Sequence, residues 1–213
     1  MKKGSGKTAR RQVRRRRPSA KPAGAPANAV FLVGFMGAGK SSVGRALGQR
    51  LNWIFEDLDD RIEAREGRTV AEIFRDAGES EFRRAEQAAL EHLLRELRGG
   101  GSRIVALGGG AFVQKEIAAR LKQSGVPTVF LDAPVEDLWE RCCAQAREAG
   151  VERPLLRSRE QFRELYNRRS RSYSKASVKI QTGSRAVETI AAEIANMLGL
   201  RKIELRTEQG EVE

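Results

Sequence analysis

The chain has 213 residues, 40% of them hydrophobic, a length that suits one domain with a proper core. Its net charge of +12 is concentrated at one end: residues 1–29 hold ten Lys and Arg and no acid, leaving thirty cations against twenty-eight acids elsewhere. That distribution argues against a basic folded surface for nucleic acid, and no apolar run approaches the ~20 residues that a membrane-spanning helix needs.

In chain order, residues 1–29 read as a basic, flexible tail, since they combine Lys and Arg with Pro18, Pro22 and Pro26 and offer little to bury. Ala29-Val30-Phe31-Leu32-Val33 is a short continuous apolar run, as in a strand buried on both faces. After a Gly-rich loop, Val43, Ala46, Leu47 and Leu51 recur at helical spacing. Trp53-Ile54-Phe55 is a second strand, followed by acids. Residues 61–66 and 69–76 read as short helices. Phe82, Ala85, Ala89, Leu90, Leu93, Leu94 and Leu97 form the stripe of a long one, ended by three glycines. Ile104–Leu107 is a third strand, again ended by three glycines, and Ile117, Ala118 and Leu121 mark the next helix. Thr128–Leu131 is a fourth strand, followed by helices at 135–147 and about 159–173. Val178–Ile180 is a fifth strand, and a last amphipathic helix covers 186–198. Residues 201–213 read as a polar tail. Strands alternating with helices imply a parallel sheet covered on both faces, with ligands beyond the carboxyl ends of the strands.

The loop Gly34-Phe35-Met36-Gly37-Ala38-Gly39-Lys40-Ser41 has the form G-x-x-x-x-G-K-S, between a strand and a helix. Its glycines let backbone amides converge on phosphate oxygens, and the helix N-terminus adds partial positive charge. Lys40 is placed for the β and γ phosphates and Ser41 for Mg²⁺, so a nucleoside triphosphate with one magnesium ion is expected. A second match, Gly4-Ser5-Gly6-Lys7-Thr8, has no upstream glycine and no preceding strand, and is given no role. No Asn-Lys-x-Asp guanine signature is present, and the chain is short for a motor or transport ATPase. A small kinase remains, which needs an acid for the metal and a group to orient the acceptor hydroxyl. Asp57 and Asp59, two apart after the second strand, are candidates for those tasks. Asp60 reads as a helix N-cap. Arg83 and Glu86 share a helix face, which on spacing alone is compatible with an ordinary surface salt bridge. Gly108-Gly109-Gly110 permits close approach of a ligand, or is a plain loop.

Taken together, GFMGAGKSSVGRALGQRL (34–51), Asp57-Leu58-Asp59, GESEFRRAE (78–86), LGGGA (107–111) and Arg153-Pro154-Leu155-Leu156 resemble the shikimate kinase family over about Val30 to Leu198. The resemblance implies a three-layer P-loop kinase sandwich, a five-stranded parallel sheet with helices on both faces as in nucleoside monophosphate kinases, plus a mobile lid at about 147–160. It implies transfer of the γ-phosphoryl group of ATP to the 3-hydroxyl of shikimate in aromatic amino-acid biosynthesis. Gly37, Ala38, Gly39, Lys40, Ser41 and Ser42 would bind ATP, with Arg141 stacking on adenine and Arg185 a poorer candidate. Ser41 and Asp57 would serve Mg²⁺, Asp57 through water. Asp59 would orient or deprotonate the attacking hydroxyl, and Arg83 would grip the substrate carboxylate with help from Glu86. Gly108, Gly109 and Gly110 would line the ring, and Arg153 would close over the γ-phosphate. A second carboxylate arginine is expected among Arg168, Arg169 and Arg171, with Arg169 favoured by its spacing to Tyr173. The alternative reading is a related small-molecule kinase such as a gluconate kinase. With only Cys142 and Cys143 there is no disulfide framework. A cytoplasmic monomer without a specific nucleic-acid partner is the expectation.

Overall fold

The computed structural model describes residues 28–150 and 158–203. Residues 1–27, residues 151–157 within the stretch 147–160 expected as a lid, and residues 204–213 lie outside the described residues. Five strands, β1 (Ala29–Val33), β2 (Ile54–Asp57), β3 (Arg103–Ala106), β4 (Thr128–Asp132) and β5 (Val178–Gln181), form one parallel sheet in the order β2-β3-β1-β4-β5. The register sets Leu32 of β1 beside Ala106 of β3 and Val129 of β4. Every residue of β1 and β4 is buried, which accounts for the apolar run of β1 and of Val129–Leu131 in β4, whereas edge strand β2 leaves Ile54 exposed.

Among the described residues seven helices cover the sheet: α1 (Lys40–Leu51), α2 (Leu58–Glu66), α3 (Val70–Arg98), α4 (Lys115–Ser124), α5 (Val135–Ala149), α6 (Arg159–Tyr173) and α7 (Val187–Leu198). Helix α1 packs on α7 and over β2 and β3, while α3 packs on α2 and α4. The stripe of α3 buries Leu90 and Leu93 completely, each contributing on the order of 1.5–3 kcal/mol.

Two local expectations are corrected and one is borne out. The stretches read as separate helices at 69–76 and from Phe82 onward are two helical runs within α3, parted by the non-helical Gly78 (φ 80°, ψ 174°) and joined without a loop. A capping box of Thr69 and Glu72 starts that helix. The N-cap of α2 is Asp57, not Asp60: α2 begins directly at the strand end, and the Asp57 carboxylate accepts from the Asp59 amide. Residues 201–203, read as the start of a tail, return to the end of α1, where the Ile203 amide donates to the Leu51 carbonyl.

Candidate active site

The segments singled out by chemistry gather at the carboxyl ends of β1, β2 and β3. The loop 34–41 joins β1 to α1. Gly37 sits at φ 77°, and a Cβ there would lie 2.8 Å from the Leu138 carbonyl and 2.9 Å from Cys142 Sγ, so α5 closes tightly under the loop. Gly39, also left-handed, caps α1, whose first amides have no intrahelical acceptor and face an incoming anion. Lys40 Nζ donates to the Gly34 and Phe35 carbonyls, both at 3.1 Å. Burial pushes its pKa down, while Asp57 and Asp59 pull it back up. Ser41 Oγ donates to Asp57 Oδ2 at 3.1 Å, linking the loop to the end of β2. Ala38 is buried in the loop and Ser42 is exposed on α1. Arg141 of α5 donates to the Gly37 carbonyl at 3.3 Å and to the Gly183 carbonyl, bridging the loop and the β5–α7 turn. Arg185 instead bonds the Gln181 carbonyl and Glu193.

Beside this loop, two carboxylate oxygens converge on Gly108. Asp59 Oδ1 and Glu86 Oε1 are both buried, and neither has a hydrogen-bond partner among the described residues. A Cβ on Gly108 would lie 2.8 Å from the first and 3.3 Å from the second. A larger residue would fill the space onto which both oxygens open. Buried acceptors left unpaired are costly in a stable core and are expected where a ligand supplies the donor. Burial, then Asp57 and Glu86, lift the Asp59 carboxyl to about 6, with Lys40 opposing. Such a shift, beside the phosphate loop and with named charge partners, is a mark of acid–base chemistry.

Glu86 is fully buried on α3 and accepts from Arg83 Nη1 at 2.8 Å through Oε2. The opposite edge of Arg83, Nε and Nη2, reaches Glu79 Oε1 at 3.2 and 2.9 Å. Burial opposes the Arg83 charge, but the Glu86 and Glu79 carboxylates raise its pKa above the usual value. Gly110 lies directly under the guanidinium, 2.7 Å from Nη2 if it bore a Cβ. From α6, Arg169 Nη1 donates to the Gly109 carbonyl at 3.2 Å and sits over the Phe35 ring. Its neighbours Arg168 and Arg171 are exposed. Tyr173 Oη also donates to the Gly109 carbonyl. Arg83, Arg169, Gly110, Glu79, Val113 and Gln114 line a cleft of about 190 Å³. Arg153 lies outside the described residues.

Sequence reasoning missed Glu79, Gln114 and Phe35 at this site. Glu79 had a signal, since it stands four residues before Arg83 on one helix face. Phe35 occupies a variable position of the loop motif, yet it is fully buried and packs edge-on against Phe162 and Tyr166 of α6. Gln114 carried no signal in spacing or periodicity.

The family model described as shikimate kinase matches residues 36–199. A shikimate kinase of Persephonella marina is 37% identical over 166 residues, covering 78% of this chain and 95% of that protein. One from Thermus thermophilus is 42% identical over 176 residues, covering 81% and 91%. Among solved structures, a shikimate kinase from Acinetobacter baumannii in complex with shikimate is 33% identical. It superposes with a TM-score of 0.71, over 83% of this chain and 96% of that one. With phosphate loop, carboxylate pair and arginine-lined cleft on one sheet edge, and with these matches over most of its length, the chain belongs to the shikimate kinase family.

Proposed function

We propose that this protein transfers the γ-phosphoryl group of ATP to the 3-hydroxyl of shikimate. The observation that carries the assignment to residues is the pair of unpartnered, buried carboxylate oxygens of Asp59 and Glu86, set between the phosphate loop and the two arginines of the cleft. A hydroxylated acid fits this arrangement: its hydroxyls supply the missing donors, and its carboxylate meets Arg83 and Arg169.

Arg83 and Arg169 hold the acid end, and Gly108, Gly109 and Gly110 let the ring lie on the backbone. Asp59 Oδ1 accepts the hydrogen of the attacking hydroxyl. As the new O–P bond forms and the bond from the γ-phosphorus to the bridging oxygen breaks, that proton passes to Asp59. Lys40, the loop amides and the N-terminus of α1 stabilise the charge spread over the transferring group and the departing ADP. Arg141 is assigned to the adenine side and, on the family resemblance alone, Arg153 to the γ-phosphate.

Ser41 and Asp57 suit one Mg²⁺. Their oxygens already meet at 3.1 Å, and among the described residues no group of three or more His, Cys, Asp and Glu forms a protein cage. Magnesium commonly rests on one or two protein oxygens, with water and phosphate completing its octahedron. When bound, it would neutralise phosphate charge and favour departure of ADP.

An ADP-release assay over shikimate, gluconate and nucleoside monophosphates tests the assignment. Shikimate-dependent release with Mg²⁺, absent with the other acceptors, is expected. Release with gluconate instead of shikimate would reject it.

A further inference from the structure

Gln114 stands where a helix usually places a capping side chain. It is the residue before α4, after the short 3-10 turn Ala111–Val113 that continues the three glycines. Ser, Thr, Asp and Asn are favoured at such a position because a short side chain reaches back to the free amides of the first turn. Gln114 makes no such bond. Its Nε2 instead donates to Glu86 Oε2 at 2.5 Å, from 28 residues further along the chain. The helix start has given up a cap, and the side chain instead holds a fully buried carboxylate behind the cleft that Gln114 itself lines.

The two donors on Glu86 Oε2 have a joint consequence. Arg83 Nη1 and Gln114 Nε2 both end on that one oxygen, which fixes the carboxylate rotation and leaves Oε1 turned toward Gly108. A carboxylate beside a lone arginine prefers to take two of its N–H groups in a parallel fork. Without Gln114, Glu86 is free to rotate into that pairing and to occupy guanidinium edges needed by an acceptor carboxylate. We infer that Gln114 is a positioning residue of the acceptor site: by engaging Glu86 Oε2 it keeps Oε1 turned toward the acceptor and leaves the Nη1–Nη2 edge of Arg83, the edge that Glu79 does not bridge, to the acceptor's carboxylate. The inference rests on the proposed shikimate reading and deepens it.

The experiment compares the full chain with Gln114→Met, which keeps side-chain length and removes the donor, and with Gln114→Ala. Thermal unfolding of each variant first establishes that it is folded. Steady-state kinetics with shikimate and ATP should then show the shikimate KM raised about fivefold to tenfold, the scale of one net hydrogen bond lost indirectly, with kcat and the ATP KM within about twofold. In a Glu86→Gln background, Gln114→Met should add little further loss of shikimate affinity by calorimetry, because both changes remove one interaction. An unchanged shikimate KM in a folded Gln114→Met protein, an equal loss in ATP KM, or full additivity with Glu86→Gln would overturn the inference. Failure of the parent protein to bind shikimate would instead overturn the functional reading on which it rests.

Discussion

Burial and the neighbouring Asp57 and Glu86 charges lift the Asp59 carboxyl from 3.8 to about 6, and stability and chemistry pull on that shift in opposite directions. The folded protein holds this proton more tightly than the unfolded chain. Folding stability contributed by Asp59 is therefore fully present below pH 3.8, falls as pH rises toward about 6, and stays lost above it. Asp59→Asn removes the penalty at pH 7 and is expected to raise the unfolding free energy by about 2 kcal/mol, read as a higher Tm. The same change removes the proton acceptor. It should lower kcat by about 10²–10⁴ while leaving ATP affinity nearly intact. For the parent protein, kcat/KM for shikimate should rise with pH through about 6, as the free carboxylate forms. A flat profile from pH 5 to 7.5 would deny Asp59 that role. Arg83 makes the complementary case. Truncating it to Ala strands a fully buried Glu86, so about 2–4 kcal/mol of stability should disappear together with shikimate affinity. Arg83→Lys supplies charge without the planar fork and should restore Tm more than shikimate KM. Tight shikimate binding by Arg83→Ala would remove the carboxylate assignment.

At the scale of elements, α3 links scaffold and site. Its second half is core stripe, from Phe82 to Leu97. Its first half, from the capping box to Gly78, carries Phe74, which stacks on Phe82 with ring centroids 4.5 Å apart. The break lies at Gly78, immediately before Glu79. Its φ/ψ belongs to a region that is essentially glycine-only. A Cβ there would meet nothing within 4 Å, so strain alone is changed by Gly78→Ala. That variant should lose about 1–3 kcal/mol and raise the shikimate KM more than the ATP KM, because relief of the strain straightens the segment carrying Phe74 and Glu79. Equal changes in the two KM values would show that the break does not tune the acceptor side. The elements also mark what was legible in the sequence. Apolar runs located all five strands: the inner ones are buried on both faces and read as continuous hydrophobic stretches, while the partly exposed edge strands β2 and β5 showed only short runs of two or three apolar positions. The boundary inside α3 was legible because glycine is a poor helix former and takes backbone angles closed to other residues, as Gly78 does. Asp57 and Asp60 are equally good caps on paper, and only the immediate start of α2 at Leu58 decides between them. Gln114 was illegible because its contact spans 28 residues and answers to the fold rather than to any local pattern.

For the molecule as a whole, the parallel sheet gives the chain a direction. All five strands run toward the site edge, so the amino end of β1 at Ala29 lies at the opposite edge, where the Arg103 amide donates to the Asn28 carbonyl. The segment of residues 1–27 with its ten cations is therefore joined to the fold on the side away from the phosphate loop. Five residues of strand separate that junction from the loop, roughly 16 Å at the rise of an extended chain. At physiological salt the screening length is about 8 Å, so charge held at that junction is largely screened from the site. Removing residues 1–27 should thus leave kcat and both KM values within about twofold at 0.15 M salt. At about 0.01 M salt the screening length grows to ~30 Å, and the full chain should then show the higher kcat/KM, since both substrates are anions drawn by the tail. The measurement is a salt series on the two proteins side by side. A loss beyond tenfold on truncation at 0.15 M salt would mean that the tail works at the site by contact, and the account of a self-sufficient kinase core would have to be abandoned.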